Sequence, residues 1–452
     1  MEAIKLRDRY FIITHPSFES KVLAQTLPFK LFVLPKDSSR DKIFALIKEQ
    51  NKIPFTIESS GFSGFFSLDL IISTMCNLRC VYCCALSPKI QGYYGLKPQN
   101  MSFEVARKTI ELAVLYFQKE LLKQKVSSAR FDLFFTGGEP LLNIPTIEFI
   151  LHNLTTRLKK ISQTMNIPIE LSPEVATNGI FITQKVAELF KKYNVQAAIT
   201  HDGPWHDQRR VYPNKMGSSK DVIRGLRILI KNKNLIKLQT VLSLDKITQV
   251  AQIFHYYEKH KLINGVRTIN VIPQAASIFD RYLTKDKSKI PRLDEKLYRK
   301  YGFLIFKLSK KFGLDVKNYQ ERLFRSIQIG GLSYRCPAGL WKFAIAPDGS
   351  IFPCHQLTNI KEFYMGNVIK TSSLNENLKK VQKVFRNRTV FKAKPCKDCL
   401  FQTICIPFVD CPARCFIETG DLFSVPEYYC KIHKPYMEKL FEEFLVKKTN
   451  AN

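Results

Sequence analysis

The sequence of 452 residues lacks any uninterrupted apolar run of about 18 residues, the length that a helix needs to cross a membrane. The N-terminal segment Met1–Asp8 also lacks an apolar run of signal-peptide length. The chain contains no internal repeat and no low-complexity tract. These absences predict a globular, cytoplasmic protein with no membrane partner, whose 12 cysteines stay reduced and form no disulfides.

Acidic residues are scarce, because 39 Asp and Glu stand against 70 Lys and Arg and leave a formal net charge of +31. Such an excess attracts polyanions over long distances. The basic residues are nevertheless spread along the predicted helices, as at Lys119, Lys123 and Lys310, instead of forming one tail. Scattered charge of this kind is typical of a solvated surface. We therefore expect no nucleic-acid partner, and an acidic peptide fits the charge better.

A fourth cysteine is missing from the segment Ser73–Cys83, in which Cys76, Cys80 and Cys83 have the spacing Cys-x3-Cys-x2-Cys. A cubane iron–sulfur cluster has four irons to ligate, so three cysteines leave one iron open for a substrate or cofactor. A closed zinc site would need four ligands, and the adjacent Cys84 cannot easily join the same tetrahedron. We expect Cys84 to be a packed or outward-facing thiol.

Apolar runs bounded by turn residues alternate with helical segments from about residue 66 to residue 273, which is typical of βα units with a parallel sheet. Ser102 is the predicted N-cap of a helix over Ser102–Gln124. Ligands of such folds gather where the strands end. Six strands are predicted, namely Phe66–Ile72, Phe131–Thr136, Ile169–Ala176, Gln196–Thr200, Lys237–Leu242 and Arg267–Ile272.

Three of these predicted strands end in residues suited to ligand binding. The second strand runs into Gly-Gly-Glu-Pro, whose glycines let the backbone approach a ligand closely. The third ends in Thr-Asn-Gly, and the fourth in Thr-His-Asp-Gly-Pro with two arginines shortly after it. The candidate residues are Gly137, Gly138, Glu139, Pro140, Thr177, Asn178, Thr200, Asp202 and Arg210.

Most of the remaining cysteines lie near the C-terminal end of the chain. Such a density in a cytosolic protein favours metal binding over disulfides. A rubredoxin-like or zinc-ribbon site built on Cys396, Cys399 and two further cysteines is the structural alternative to a cluster. The C-terminal cysteines are Cys336, Cys354, Cys396, Cys399, Cys405, Cys411, Cys415 and Cys430.

The cysteine loop, with the aromatic Tyr82 before its third cysteine, and the Gly-Gly-Glu-Pro motif resemble the radical S-adenosylmethionine (radical SAM) superfamily. The C-terminal array resembles the SPASM domain of that superfamily. Together the resemblances cover about residues 66 to 435 and imply an α/β fold, a partial (β/α)6 barrel followed by a cysteine-rich domain. The expected division is a small α+β appendage over 1–62, the barrel over 63–278, a bridging helical segment over 279–335, the SPASM domain over 336–435 and a C-terminal helix and tail over 436–452.

The resemblance also implies the cofactors. SAM would bind the open iron of a [4Fe–4S] cluster at Cys76, Cys80 and Cys83. The Gly137–Pro140 motif would hold the amino group of SAM, and Thr200 and Arg210 would hold it from the fourth strand, with Arg210 pairing with the carboxylate. Thr177 and Asn178 would contact the same ligand, and Arg209 stays open as an alternative to Arg210.

Two auxiliary [4Fe–4S] clusters are implied as well. Either Cys415 completes the nearer one, or that cluster keeps an open iron that a substrate thiolate could occupy. The family pattern assigns Cys396, Cys399, Cys405 and Cys430 to the farther cluster, and Cys336 and Cys354 with Cys411 or Cys415 to the nearer one.

The expected partners are a peptide or protein substrate, with or without a leader peptide, and an electron donor such as flavodoxin or ferredoxin. His355 follows Cys354 where sulfatase-maturing members have an Asp, and Pro353-Cys354-His355 resembles the peptide maturases. The expected activity is therefore thioether or other cross-link formation in a ribosomally made peptide, with His355 and Asp202 as candidate catalytic residues. Anaerobic sulfatase maturation, RNA modification and a metal-binding scaffold without catalysis are the alternatives.

Overall fold

The strands in the described part of the chain form two sheets, one of four strands and one of nine. None of the helices in the described part of the chain has the length and apolarity needed to cross a membrane. Cys84 and almost all of the predicted bridging segment, 279–335, lie outside the described residues. The computed structural model describes residues 2–7, 9–14, 20–26, 29–51, 62–83, 96–124, 126–242, 249–263, 266–273, 336–370, 374–405 and 411–426, and isolated positions in 304–327 and 430–446.

The N-terminal sheet is an antiparallel meander, which confirms the expected α+β appendage. One face packs on helix α1 (Arg40–Asn51), where Tyr10 and Leu23 meet Ile43. The other face packs on the C-terminal part of the chain, and the rings of Phe29 and Phe441 lie 6.0 Å apart. Its strands are β1 (Glu2–Arg7), β2 (Tyr10–Thr14), β3 (Ser20–Thr26) and β4 (Phe29–Pro35).

Six parallel strands form the main part of the large sheet and follow one another in chain order. At least one helix lies between each pair in the sequence, as parallel pairing requires. All six predicted strands are confirmed. They are β5 (Phe65–Ser73), β6 (Ala129–Gly137), β7 (Ile169–Thr177), β8 (Gln196–Thr200), β9 (Leu235–Leu242) and β10 (Val266–Pro273).

Five of the six connecting helices share the main core with these strands. The predicted N-cap is confirmed, because the backbone N–H of Val105 donates to Ser102 Oγ at 3.2 Å. The helices are α2 (Phe103–Lys123), α3 (Ile144–Met165), α4 (Gln184–Lys192), α5 (His206–Arg209), α6 (Ser219–Lys231) and α7 (Val250–Lys259).

Strand β5 shows how the alternation of side chains builds the two faces of the sheet. Leu68 and Leu70 are buried in the main core with the helices, where Phe66 and Phe131 meet at a ring distance of 4.8 Å. Asp69 lies between the two leucines and projects from the opposite face. Because the strands are parallel, their carboxyl ends meet at one edge, where the loops that follow them can share a ligand.

The cysteine-rich part of the chain continues the same sheet. Its first strand pairs in parallel with β5, so that Ala344 lies opposite Asp69 and Lys342 opposite Ser67. The sequence predicts a separate domain here and gives no sign of this pairing, because the two partners are far apart in the chain. The further elements are β11 (Lys342–Ile345), β12 (Ser350–Phe352), β13 (Gly366–Asn367), α8 (Leu374–Asn387) and α9 (Pro412–Thr419).

The contact between α2 and α3 allows a matched test of the core. Leu151 on α3 is fully buried, whereas Leu115 on α2 is 65% exposed. We expect Leu151→Ala to lower the free energy of unfolding by about 2–5 kcal/mol, because it leaves a cavity. Leu115→Ala should change it by no more than about 0.5 kcal/mol. Urea denaturation of both variants measures the difference, and equal effects would contradict this packing.

Candidate active site

The three-cysteine loop follows β5 directly and is held from both sides. On one side, Thr74 donates through its hydroxyl to the carbonyl of Lys97 at 2.6 Å. On the other, the backbone N–H of Arg79 donates to the carbonyl of Val211 at 2.7 Å. The loop is therefore fixed at the edge of the sheet where the strands end.

The thiols of this loop influence one another electrostatically. Burial raises the pKa of the Cys80 thiol to about 12, opposed by Arg210 and reinforced by Cys83 and Cys76. Three thiolates so placed repel one another and need a cation between them. Soft thiolate donors match iron–sulfur chemistry, so the three cysteines fit a cluster.

The Gly-Gly-Glu-Pro motif bends the chain tightly against the end of β5. Gly137 has φ +141°, and a Cβ on it would lie 2.2 Å from the carbonyl oxygen of Ser73. Only glycine fits this approach. The next residue, Gly138, donates its N–H to the same carbonyl at 2.8 Å, and Pro140 then begins a short 3-10 helix.

Glu139 is a buried carboxylate that accepts three hydrogen bonds. Its donors are the Thr177 hydroxyl at 2.6 Å and the N–H groups of Asn178 and Leu141 at 2.8 and 3.0 Å. Burial raises the pKa of Glu139 to about 7, although these hydrogen bonds oppose the shift. No Lys or Arg in the described part of the chain forms an ion pair with it, so the site suits a cationic group of a ligand such as an ammonium.

Asp202, a candidate catalytic residue, is fully buried and engaged on both oxygens. Oδ1 accepts from the N–H of Val241 at 2.9 Å. Oδ2 accepts from Arg210 Nε at 3.0 Å and from the hydroxyl of Tyr82. These contacts orient Tyr82 and Arg210, which indicates a positioning group.

The two arginines compared in the sequence occupy different places around Tyr82. Arg210 Nη1 lies 3.9 Å from Cys80 Sγ. Arg209 lies over the Tyr82 ring, 4.3 Å from its centroid, and donates to the carbonyl of Val241. The guanidinium beside the cysteine is thus that of Arg210. Thr200, at the end of β8, pairs with the neighbouring strand β9.

Two buried histidines follow Thr200, and both have structural partners. His201 and His206 stack at 4.2 Å, and their Nε2 atoms lie 2.9 and 3.0 Å from the hydroxyls of Ser219 and Ser218. Burial lowers the pKa of His201 to about 3, so it is neutral at ordinary pH. Neutral stacked imidazoles indicate that this pair shapes the strand end.

The C-terminal cysteines separate into two groups. Burial, together with the neighbouring Cys411, raises the pKa of the Cys336 thiol to about 12. Burial also raises the pKa of the Cys354 thiol, with Cys411 and Cys336 adding to it. Cys336, Cys354 and Cys411 therefore form one group of neighbouring thiols.

Cys415 belongs to the other group, although it is only one helical turn from Cys411. It is fully buried and packs with Cys396 and, at the margin of the same cluster of side chains, Cys405 and Cys430. Arg388 Nη2 lies 3.6 Å from its sulfur. Cys399 also packs near Cys405 against the N-terminal sheet. Across the described residues, no three His, Cys, Asp or Glu side chains are placed to hold a single metal ion.

His355, the other candidate catalytic residue, is part of a charged cluster that the sequence did not reveal. Its Nδ1 lies 2.7 Å from Asp69 Oδ2, and Lys342 Nζ donates to Asp69 Oδ1 at 2.6 Å. Burial alone would raise the pKa of Asp69, but Lys342 and His355 hold it well below its usual value. The imidazole also lies 5.5 Å from the Phe134 ring. A lone acid within the apolar run Leu68–Ile72 was the available signal for this cluster.

Comparison with known proteins agrees with this geometry. The radical SAM superfamily matches residues 70–244, and the SPASM iron–sulfur cluster-binding domain matches residues 336–400. The radical SAM cyclopropyl synthase TigE of Paramaledivibacter caminithermalis is 25% identical over 387 residues, covering 83% of this chain and 74% of that protein. The cysteine-type anaerobic sulfatase-maturating enzyme of Clostridium novyi is 27% identical over 353 residues, which are 75% of this chain and 87% of that protein.

Among solved structures, native anSMEcpe with bound AdoMet and the Kp18Cys peptide has the same fold. The two structures align with a TM-score of 0.62 at 20% sequence identity. The alignment covers 86% of this chain and 100% of that one. A radical SAM domain binds AdoMet and a [4Fe–4S] cluster, and the thiols of the loop and the buried Glu139 fit both. The expected fold class and cofactors are thereby confirmed. The chain is a radical SAM superfamily enzyme with a SPASM iron–sulfur domain.

Proposed function

We propose that this enzyme forms a thioether bond within a cysteine-containing peptide. The observation that carries the proposal is the division of the C-terminal cysteines. Cys336, Cys354 and Cys411 form a group of three in the described part of the chain, while Cys415 packs with the other group. A cluster on three cysteines has one iron open to a soft ligand, and a substrate thiolate is such a ligand.

A peptide substrate is supported by the relatives and by charge. A sulfatase-maturating enzyme acts on a protein, and the similar structure holds a peptide. The net charge of +31 favours an acidic peptide. SAM, when bound, supplies a 5′-deoxyadenosyl radical that removes a hydrogen atom from the substrate. Glu139 would hold the ammonium group of SAM, in a loop shaped by Gly137, Gly138 and Pro140. Thr177 and Asn178 would orient Glu139. Arg210 and Thr200 would hold the rest of the SAM molecule.

His355 would take the proton of the substrate thiol. Because ionised Asp69 accepts hydrogen bonds only, Nδ1 of His355 must carry the proton between them, which leaves the lone pair on Nε2. The thiol proton moves to Nε2 and the sulfur becomes a thiolate. Formation of the carbon–sulfur bond would then release one electron, and an auxiliary iron–sulfur cluster, when bound in its oxidised form, would accept it.

Sulfatase maturation is the second candidate, and the relative from Clostridium novyi favours it. In that reaction a cysteine becomes formylglycine, so the substrate loses its sulfur. His355 stands where such enzymes carry an Asp. The two reactions are told apart by the mass of the product.

The buried position of Glu139 predicts that SAM binding depends on pH. Its pKa of about 7 keeps the carboxyl largely protonated near pH 6 and ionised near pH 8. We expect SAM to bind about tenfold more weakly at the lower pH, with release of a proton on binding. Isothermal calorimetry in two buffers of different ionisation enthalpy measures the affinity for SAM and the number of protons released. Glu139→Gln should abolish the pH dependence, whereas Glu188→Gln, at an exposed position on α4, should preserve it.

The grouping of cysteines predicts the iron content of two variants. Cys411→Ala should lower the iron by about four atoms per chain, because the nearer cluster then has too few ligands. Cys415→Ala should leave the iron content unchanged, because Cys396, Cys399, Cys405 and Cys430 suffice for the farther cluster. Iron analysis after anaerobic reconstitution compares them, and the opposite order would show that Cys415 serves the nearer cluster.

The reaction itself can be tested with a short cysteine-containing peptide encoded beside this gene. Incubation with SAM and reductant should remove two hydrogens from the peptide and protect its thiol from alkylation, as mass spectrometry measures. Replacement of sulfur by oxygen would favour sulfatase-type maturation instead.

A matched pair of histidine variants completes this test. His355→Gln should lower product formation about 10²-fold or more, because the proton acceptor is lost, with SAM cleavage little changed. The same change at exposed His152 should have no effect. Normal product formation by His355→Gln would contradict the assignment of His355.

A further inference from the structure

A cleft lies in the cysteine-rich part of the chain, between helix α8 and strand β12. Its volume is about 410 Å³, within the range of roughly 300–1,000 Å³ that is usual for ligand sites. One wall is the N-terminal half of α8, and the other is the segment that follows Cys354. The residues that line the cleft include Phe352, Lys361, Glu362, Tyr364, Asn377 and Lys380.

The register of the strands places this cleft on the same face of the sheet as Asp69. Phe352 on β12 pairs with Ala344 on β11, and Ala344 lies opposite Asp69 on β5. Residues directly opposite one another in a sheet project from the same face. Two strand spacings separate Phe352 from Asp69, which is about 10 Å. The cleft is therefore close to His355, whose Nδ1 lies 2.7 Å from Asp69 Oδ2.

The walls of the cleft offer both donors and acceptors of hydrogen bonds. The ammonium groups of Lys361 and Lys380 donate, the carboxylate of Glu362 accepts, and the amide of Asn377 does both. Lys361, Lys380 and Glu362 are exposed, and none of them forms an ion pair with another residue that the structure describes. Asp348 also lines the cleft, so two cations stand beside two acids. Net charge therefore selects neither an acidic nor a basic ligand here.

Apolar side chains form the floor of the cleft. The rings of Phe352 and Tyr364 meet edge to face with 6.0 Å between their centroids, and Leu96 packs against the same cluster. An extended peptide matches this arrangement, because its backbone alternates N–H donors with C=O acceptors and its side chains alternate between two sides. The walls can bind the backbone while one side chain of the peptide rests on the floor.

We propose that this cleft binds the peptide substrate beside its reacting cysteine. The inference rests on the proposed function, because it takes His355 as the position of the substrate thiol. An extended chain rises about 3.3 Å per residue, so the distance of about 10 Å between Asp69 and Phe352 corresponds to about three residues. The side chain on the floor therefore belongs to the residue about three positions from the cysteine, and an apolar side chain fits there.

Filling the cleft tests the proposal. Asn377→Trp places a large ring at one wall, and Asn387→Trp, at an exposed position at the end of the same helix, is the matched control. The probe is the cysteine-containing peptide encoded beside this gene, labelled and titrated with the reconstituted holoenzyme in a fluorescence anisotropy measurement. We expect Asn377→Trp to weaken binding about tenfold, which corresponds to the loss of one buried side chain. Asn387→Trp should match the unmodified enzyme.

A shortened peptide separates the cleft from the rest of the site. It keeps the cysteine with about two residues on either side, so it ends before the cleft. The unmodified enzyme and Asn377→Trp should bind this peptide equally, which also shows that the variant is folded. Equal binding of the full-length peptide by the two enzymes would overturn the proposal, and so would a tenfold difference that persists with the shortened peptide.

The mass of the product decides the reaction independently of the cleft. If the peptide loses its sulfur while Asn377→Trp binds it more weakly, thioether formation is wrong and the cleft is supported. Thioether formation together with equal binding by Asn377→Trp would refute the cleft alone. If the unmodified enzyme does not bind the peptide, both proposals fail.

Discussion

A single buried carboxylate connects the two parts of this enzyme. Asp69 belongs to the first strand of the barrel, yet its hydrogen-bond partners, Lys342 and His355, both come from the cysteine-rich part. An unpaired charge at a fully buried position would be strongly destabilising, so the barrel strand depends on its distant partners. The same contacts hold the imidazole of His355, the residue after Cys354, against the first strand of the barrel.

The buried acids of the site are compensated in different ways, and the difference indicates their roles. Asp69 and Asp202 each have cationic partners within the chain, at Lys342 and Arg210. Glu139 has only neutral donors among the described residues, and burial raises its pKa. Acids that are already neutralised organise the site, whereas an acid without a counter-charge is prepared for a ligand that brings one.

Local patterns made the barrel predictable. Apolar runs of strand length and the N-cap at Ser102 are properties of short segments, and the structure contains the corresponding elements at the expected positions. The pairing of β5 with β11, the partners of Asp69 and the separation of Cys411 from Cys415 could not be predicted. The first two depend on contacts between residues far apart in the chain, and the third depends on the direction of a short helix. The spacing of residues in the sequence indicates neither.

The pairing of β5 with β11 also fixes the position of two groups of thiols relative to each other. One group follows β5 and the other flanks β11, and the strands share one hydrogen-bonded ladder. Paired strands cannot slide without breaking their hydrogen bonds, and a slip by one residue would displace them by about 3.3 Å. Strand register therefore sets the spacing between these two groups of thiols.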